Sequence, residues 1–289
     1  MMSSHSCNSV THNLTIEQKE YAAKVLNESD ENRENAVAEI KRWIQESDLR
    51  ARTDDFSILK FLRACKFNLE KTKIKLQNFQ KLRANLPQWY ENRDPMQPRM
   101  QELLESGTIM PLRKLDDQGR MVILARLVHN PLKFSFEEAL QISTMVLDVA
   151  IKDHVSSSLY GCVIIIDMGY VTFRHLTQVR PRHLMNMTHS WQGCYPLRIK
   201  SINCINVLEI ATPALMLGKY FLNNKLKQRV HFYTHKTTPD CFANIPDDIL
   251  PVEYGGTDGT IQELIDYWKK VIEENRDWFI DDDRYKPVL

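Results

Sequence analysis

The chain has almost no charge to spare. Its 38 Lys and Arg face 37 Asp and Glu, a formal net charge of +1, so bulk attraction to nucleic acid is excluded and electrostatic steering must come from local asymmetry. Long apolar runs are missing too. The strongest, Cys162 to Ile166, is strand-sized, whereas a bilayer-spanning helix needs about 20 residues. Residues 1–13 are polar and lack the apolar core of a signal peptide; disorder is expected there. The six cysteines, at 7, 65, 162, 194, 204 and 241, form no CxxC pair and no zinc spacing. They read as reduced thiols in a cytoplasmic setting, mostly buried as small apolar residues. Enzyme signatures are also lacking: no GxGxxG after a strand, no P-loop, no GxSxG, no HExxH. His189 and Cys194 lie five positions apart, about 140° around a helix, which is poor geometry for a dyad. Asp167 closes an apolar strand without a local base or nucleophile, and capping the turn at Gly169 is the simpler role. No catalysis and no cofactor are expected.

With 43% hydrophobic and 26% charged residues, the composition is that of an ordinary globular protein. Two styles of periodicity divide the chain. From Leu14 the spacing is helical. Thr15 and Gln18 make a capping box, Glu28 to Glu34 reads as a charged break, and Ala36, Val37, Ile40, Trp43 and Ile44 form an amphipathic stripe. A helix is expected from Asp54–Asp55 to about Phe67, with acids at its N-terminus, and another from Leu69 to Leu86, closed by Pro87. Pro95 and Pro98 mark a linker. Beyond it, Ile109–Leu115 and Arg120–Val128 read as a hairpin around Asp116-Asp117-Gln118-Gly119. Strands at 161–167, 199–208 and 230–234 then alternate with helices at 136–153, 181–194, 212–222 and 259–275. That alternation implies βαβ units and a mostly parallel sheet. The expected organisation is a helical domain over 14–95, an α/β domain over 96–275, and an acidic tail over 276–289.

Tyr195 to Arg229 is the most unusual stretch. Pro213 suits the first turn of a helix. The residues after it, Ala214, Leu215, Met216, Leu217, Tyr220, Phe221 and Leu222, leave almost no polar face. A helix apolar all round must be buried or must meet something apolar. Arg198, Lys200, Lys219, Lys225, Lys227 and Arg229 flank it, against Glu209 alone. This pattern fits a core helix beside a solvated basic face, or an element that touches an anionic membrane.

Four motifs, in order, resemble the CRAL-TRIO family: Asp54-Asp55 through Phe61-Leu62-Arg63-Ala64-Cys65-Lys66-Phe67; Ile165-Ile166-Asp167-Met168-Gly169; Tyr195-Pro196-Leu197-Arg198-Ile199-Lys200; and Leu250-Pro251-Val252-Glu253-Tyr254-Gly255-Gly256. The resemblance runs from about residue 15 to 275. It implies an α/β lipid cage, a mostly parallel sheet with helices and a mobile gate helix, behind a small all-helical domain. The gate would be the apolar helix, with Pro213, Leu215, Met216, Leu217, Phe221 and Leu222. Lining positions would be Met145, Cys162, Ile164, Ile166, Val179, Met187, Trp191, Tyr195, Leu197, Ile199 and Ile202. Phosphoinositide contacts would be Arg198, Lys200, Lys225, Lys227 and Arg229. The implied cargo is tocopherol, a retinoid or a related isoprenoid; a phospholipid cargo, or a membrane-recruited adaptor, stays open. Asp148 falls where the lining should be apolar, so it must be paired, solvated or turned outward. A monomer is expected, cytoplasmic, with transient membrane association and no nucleic-acid partner.

Overall fold

The computed structural model describes residues 14–152 and 154–286. The expected disorder of residues 1–13 lies outside that range.

The N-terminal helices follow their capping chemistry. Thr15 caps α1 (Ile16–Tyr21) through the Thr15/Gln18 box, and a π-helical turn, Ala22–Leu26, continues it. The break expected over 28–34 shrinks: Ser29 caps α2 (Asp30–Glu46), whose Ala36, Val37, Ile40 and Ile44 are buried. Asp54 caps α3 (Asp55–Ala64) and Asn68 caps α4 (Leu69–Asn85). The stripes of α2, α3 and α4 close on each other around Ile40, Ile58 and Leu62, all fully buried. Pro87 closes α4 as expected, and the helix stops at Asn85. The same proline opens a short α5 (Pro87–Tyr90), and Pro98 opens α6 (Pro98–Ser106) in the same way, inside the segment expected to be a linker.

Among the described residues, five strands form one sheet in the order β1-β2-β3-β4-β5. β1 (Ile109–Leu115) and β2 (Met121–Arg126) pair antiparallel across the expected hairpin. Its turn is held by Asp116, whose Oδ1 accepts from the backbone N–H of Gln118 and Arg120 at 3.0 and 2.8 Å. Gly119, at φ +71°, supplies the left-handed residue. From β2 onward the pairs are parallel. α7 (Phe136–Lys152) and α8 (Val155–Tyr160) link β2 to β3 (Cys162–Asp167). α9 (Phe173–Gln178) and α10 (Pro181–His189) link β3 to β4 (Ile199–Ile205). α11 (Thr212–Phe221) and α12 (Asn224–Lys227) link β4 to β5 (Val230–Phe232). After α13 (Thr238–Phe242), α14 (Ile261–Glu274) packs on the sheet with Ile261, Leu264, Ile265, Trp268 and Ile272 buried. The helix expected over 181–194 is divided: α10 ends at His189, and Ser190–Cys194 is a π-helical turn.

Residues 276–289 are not simply an acidic tail. α15 (Arg276–Asp282) folds back and buries Phe279 and Asp282. Asp282 accepts from Arg52, Arg83 and Arg93, which come from the loop between α2 and α3, from α4 and from the segment after α5. Burial alone would push Asp282 up, but the three guanidiniums outweigh it and hold the carboxyl below its ordinary range. Among the described residues no helix is long and apolar enough to cross a membrane.

Candidate functional site

A cavity of about 210 Å³ lies between the sheet and the helices that cross it. Period-two geometry aims Ile123 and Ala125 of β2, and Ile164 and Ile166 of β3, at this space. α7 contributes Ala139, Leu140, Ser143, Thr144 and Leu147; Leu176, Val179, Leu184 and Met187 come from α9, α10 and the turn between them. Of the lining residues expected from the sequence, Ile164, Ile166, Val179, Met187, Trp191, Tyr195, Leu197 and Ile199 border the cavity. Met145, Cys162 and Ile202 do not border it; they are packed in the core at 0%, 0% and 2% exposure. Cys162 shares the strand face of Ile164 but sits at the start of β3, so phase alone could not place it. Trp89, Leu127 and Phe136 line the space without having been expected. Trp89 follows a proline in a stretch that reads as the end of a helix, and nothing in its spacing points to a cavity.

One wall is α11. The helix is apolar, yet none of its residues is buried. Ala214 and Leu215 face the cavity. Met216 and Tyr220 point outward at 54% and 72% exposure. Leu217 and Phe221 are half-buried, Pro213 is exposed in the first turn, and Leu222 is buried just past the helix end. A side-chain latch closes this end. Gln192, in the π-helical turn, donates Nε2–H to the Phe221 carbonyl at 3.1 Å and accepts from the Asn223 N–H at 2.9 Å. Behind it, Lys75 of α4 donates to the carbonyls of Gln192 and Tyr195.

The expected cations gather beside α11. Arg198 donates to the Leu159 carbonyl and Arg229 to the Ile199 carbonyl. These bonds fix both guanidiniums without neutralising them. Burial and then the neighbouring Arg198 hold Lys200 below the usual lysine range, with Tyr21 opposing and Arg229 adding to the shift. Burial also lowers Lys225, and Arg229, Lys66, Arg198 and Lys71 add to it. After burial, neighbouring cations are what depress Lys200 and Lys225, so like charges crowd here. Lys66 and Lys71 extend the cluster onto the N-terminal helices. Lys227 lies 5.5 Å over the Tyr220 ring, which joins the basic cluster to the exposed side of α11.

The polar outliers are accounted for. Asp148 pairs with Arg93 at 2.6 Å, so its charge does not face the cavity uncompensated. Asp167 accepts from the Gly169 N–H, Asn206 Nδ2–H and Tyr254 O–H, a turn-capping role. Burial raises the Cys194 thiol to about 11, which leaves it a poor nucleophile.

An α/β sheet covered by helices, enclosing an apolar cavity with one exposed apolar helix as its wall, defines a cage for a hydrophobic molecule. Comparison with known proteins agrees. The model of the CRAL/TRIO domain matches residues 105–256, and that of a Pinta-like UBA domain matches residues 29–100. The chain belongs to the CRAL-TRIO family of lipid-binding proteins. The alpha-tocopherol transfer protein-like protein of Homo sapiens is 26% identical over 271 residues, covering 92% of this chain and 77% of that protein. Clavesin-2 of Mus musculus is 26% identical over 247 residues, covering 84% and 75%. The crystal structure of Sfh5 superposes with a TM-score of 0.52 at 15% identity, covering 82% of this chain and 92% of that one, a likeness of fold alone.

Proposed function

We propose that the protein binds one small hydrophobic molecule, such as tocopherol, a retinoid or a related isoprenoid, and carries it between membranes, docking on phosphoinositides. The observation that carries this reading is α11: an apolar helix with no buried residue, with Ala214 and Leu215 facing an apolar cavity, beside crowded cations. Closed, it shields the cargo. Open, it would expose several apolar side chains at roughly 1.5–3 kcal/mol each in water, a penalty a bilayer surface removes. A cargo losing about 400 Å² of apolar surface gains about 10 kcal/mol before association costs. Near an anionic surface each cation adds about 1 kcal/mol, enough for reversible docking.

Two measurements test the reading. Mass spectrometry of an organic extract of the purified protein should show an isoprenoid; a two-chain phospholipid would replace the proposed cargo. Lys225→Ala combined with Arg229→Ala should leave affinity in solution nearly unchanged. The same double variant should slow transfer to phosphoinositide-containing vesicles several-fold, a difference that added salt erases. Equal transfer rates at low salt would remove the docking role from this cluster.

A further inference from the structure

Two histidines are closed inside the fold where the loop after β2 meets α9. His129 is 1% exposed and His175 4%, and their rings meet edge to face with centroids 4.8 Å apart. The surrounding bonds decide which ring nitrogens carry protons. Gln178 donates from Nε2 to the carbonyls of Pro131 at 2.8 Å and Phe134 at 3.0 Å, so its amide cannot be turned round. Its Oε1, 3.2 Å from His129 Nε2, can only accept, and His129 therefore donates from Nε2. His175 Nε2 lies 2.8 Å from the His129 carbonyl and must donate as well, while its Nδ1 accepts from the Thr172 N–H at 3.1 Å. One ring nitrogen is left over. His129 Nδ1 is buried and has no hydrogen-bond partner among the described residues.

A second proton on His129 has only Nδ1 to go to. There it makes a buried cation whose new N–H meets no acceptor, edge to face with another imidazole. The charged groups nearby are already committed: Glu138 of α7 pairs with Arg99 of α6, and Lys133 of the same loop pairs with Glu102 of α6. Burial holds His129 below its ordinary 6.5; Gln178 and Glu138 oppose that shift and His175 adds to it. The same bonds tie the 129–134 loop to α9, and α9 with its C-terminal neighbour brings Leu176 and Val179 to the cavity wall. We propose that His129 and His175 form an acid-sensitive clasp on the cage: when His129 takes up a proton, α9 comes away from the loop after β2 and the cargo is released. The inference rests on the carrier reading above and adds a trigger to it, a fall in pH. A histidine depressed on folding supports the closed form fully above 6.5 and loses that support as pH falls below it.

The test compares the full parent chain with His129→Gln, whose side-chain amide can keep the bond to Gln178 but cannot titrate. Deuterium uptake over residues 172–179 needs no cargo and is read against the variant at the same pH, which cancels the intrinsic pH dependence of exchange. The two proteins should match at pH 7, and the parent should exchange several-fold faster at pH 5. All-trans-retinal, loaded at pH 7 and released into phosphatidylcholine vesicles of no net charge, reads the coupling to cargo. Its release from the parent should quicken below pH 6.5 by at most about tenfold per pH unit, the slope set by one proton, and its release from His129→Gln should stay flat. Ring ¹⁵N shifts of the parent give a reading that depends on no variant. His129 should be the Nε2–H tautomer at pH 7 and titrate with the same midpoint as release. Equal exchange of the two proteins at pH 5, release that ignores pH, or a His129 midpoint apart from that of release would overturn the clasp and leave the carrier reading standing. Failure of retinal to bind at pH 7 would count against the carrier reading, while exchange and the ring shifts would still decide the clasp.

Discussion

The buried pair Glu28 and Arg63 shows how a single residue can hide its role from sequence. Arg63 lies in the motif that carried the family resemblance, but Glu28 sits among charged neighbours and reads as solvated. In the fold they are 1% and 0% exposed. Arg63 donates to both Glu28 oxygens at 2.8 Å and to Ser158 Oγ at 2.9 Å, so the pair fastens α3 to α8 across the two halves. Burial pushes the Glu28 carboxyl up, but Arg63 and Arg33 outweigh it, and its pKa falls below the ordinary 4.5. A carboxyl whose pKa is depressed on folding stabilises above its unfolded value and loses that contribution as pH falls through its folded one. Arg63→Ala should therefore destabilise by about 3–5 kcal/mol at neutral pH, because it leaves a buried charge unpaired. For Glu28→Gln, the stability gap from the parent should be full near pH 7 and close as pH drops below 4.5. Urea unfolding of both proteins from pH 7 to pH 3 reads this directly. A gap that does not change with pH would mean that the ionised carboxylate contributes nothing.

At the scale of elements, periodicity located the secondary structure well, and the proline-rich segment read as a linker was the main miss. The strands at 162–167 and 199–205 are apolar and short, and α11 was visible from its composition. Pro87 closes α4 as read but also opens α5, and Pro98, read as linker, opens α6, because proline fits either side of a helix boundary. The π-helical turn at 190–194 was not legible at all, because its pattern matches a continuing helix. That turn matters, since it presents Gln192 to the end of α11. Gln192→Ala removes two hydrogen bonds, each worth about 0.5–1.5 kcal/mol net. If opening of α11 limits release, bound all-trans-retinal should dissociate from this variant faster by several-fold up to about a hundredfold. Thermal unfolding should shift little, because the bonds lie at one end of a half-exposed helix. A stopped-flow dissociation rate equal to that of the parent would show that cargo leaves by a route α11 does not control.

For the whole molecule, the sequence suggested a helical domain in front of a lipid cage, and the structure ties the two together through buried charges. Asp148 of α7 and Asp282 of α15 are 8% and 3% exposed, and the guanidinium of Arg93 bridges them at 2.6 Å to each. Arg83 and Arg52 complete the charge balance around Asp282, and the ring of Tyr90 lies 5.5 Å under Arg93. Composition could not reveal this, because the partners are 55 and 189 positions apart and the C-terminal acids look like a solvated tail. A chain beginning at Met96 would lose α1 to α5, all three arginines and the Trp89 wall. It would leave two carboxylates buried without partners, at about 3–5 kcal/mol each. That is comparable with the whole stability of a typical domain, about 5–15 kcal/mol. The truncated chain should therefore aggregate on expression, or unfold below the growth temperature. Adding Asp148→Asn and Asp282→Asn to it should recover some soluble protein, because the unpaired charges, and not only the lost apolar contacts, disfavour the fold. If the truncated chain is instead monomeric, unfolds cooperatively and binds all-trans-retinal as tightly as the full chain, the two halves are independent and the arginine bridge is not what holds the cage together.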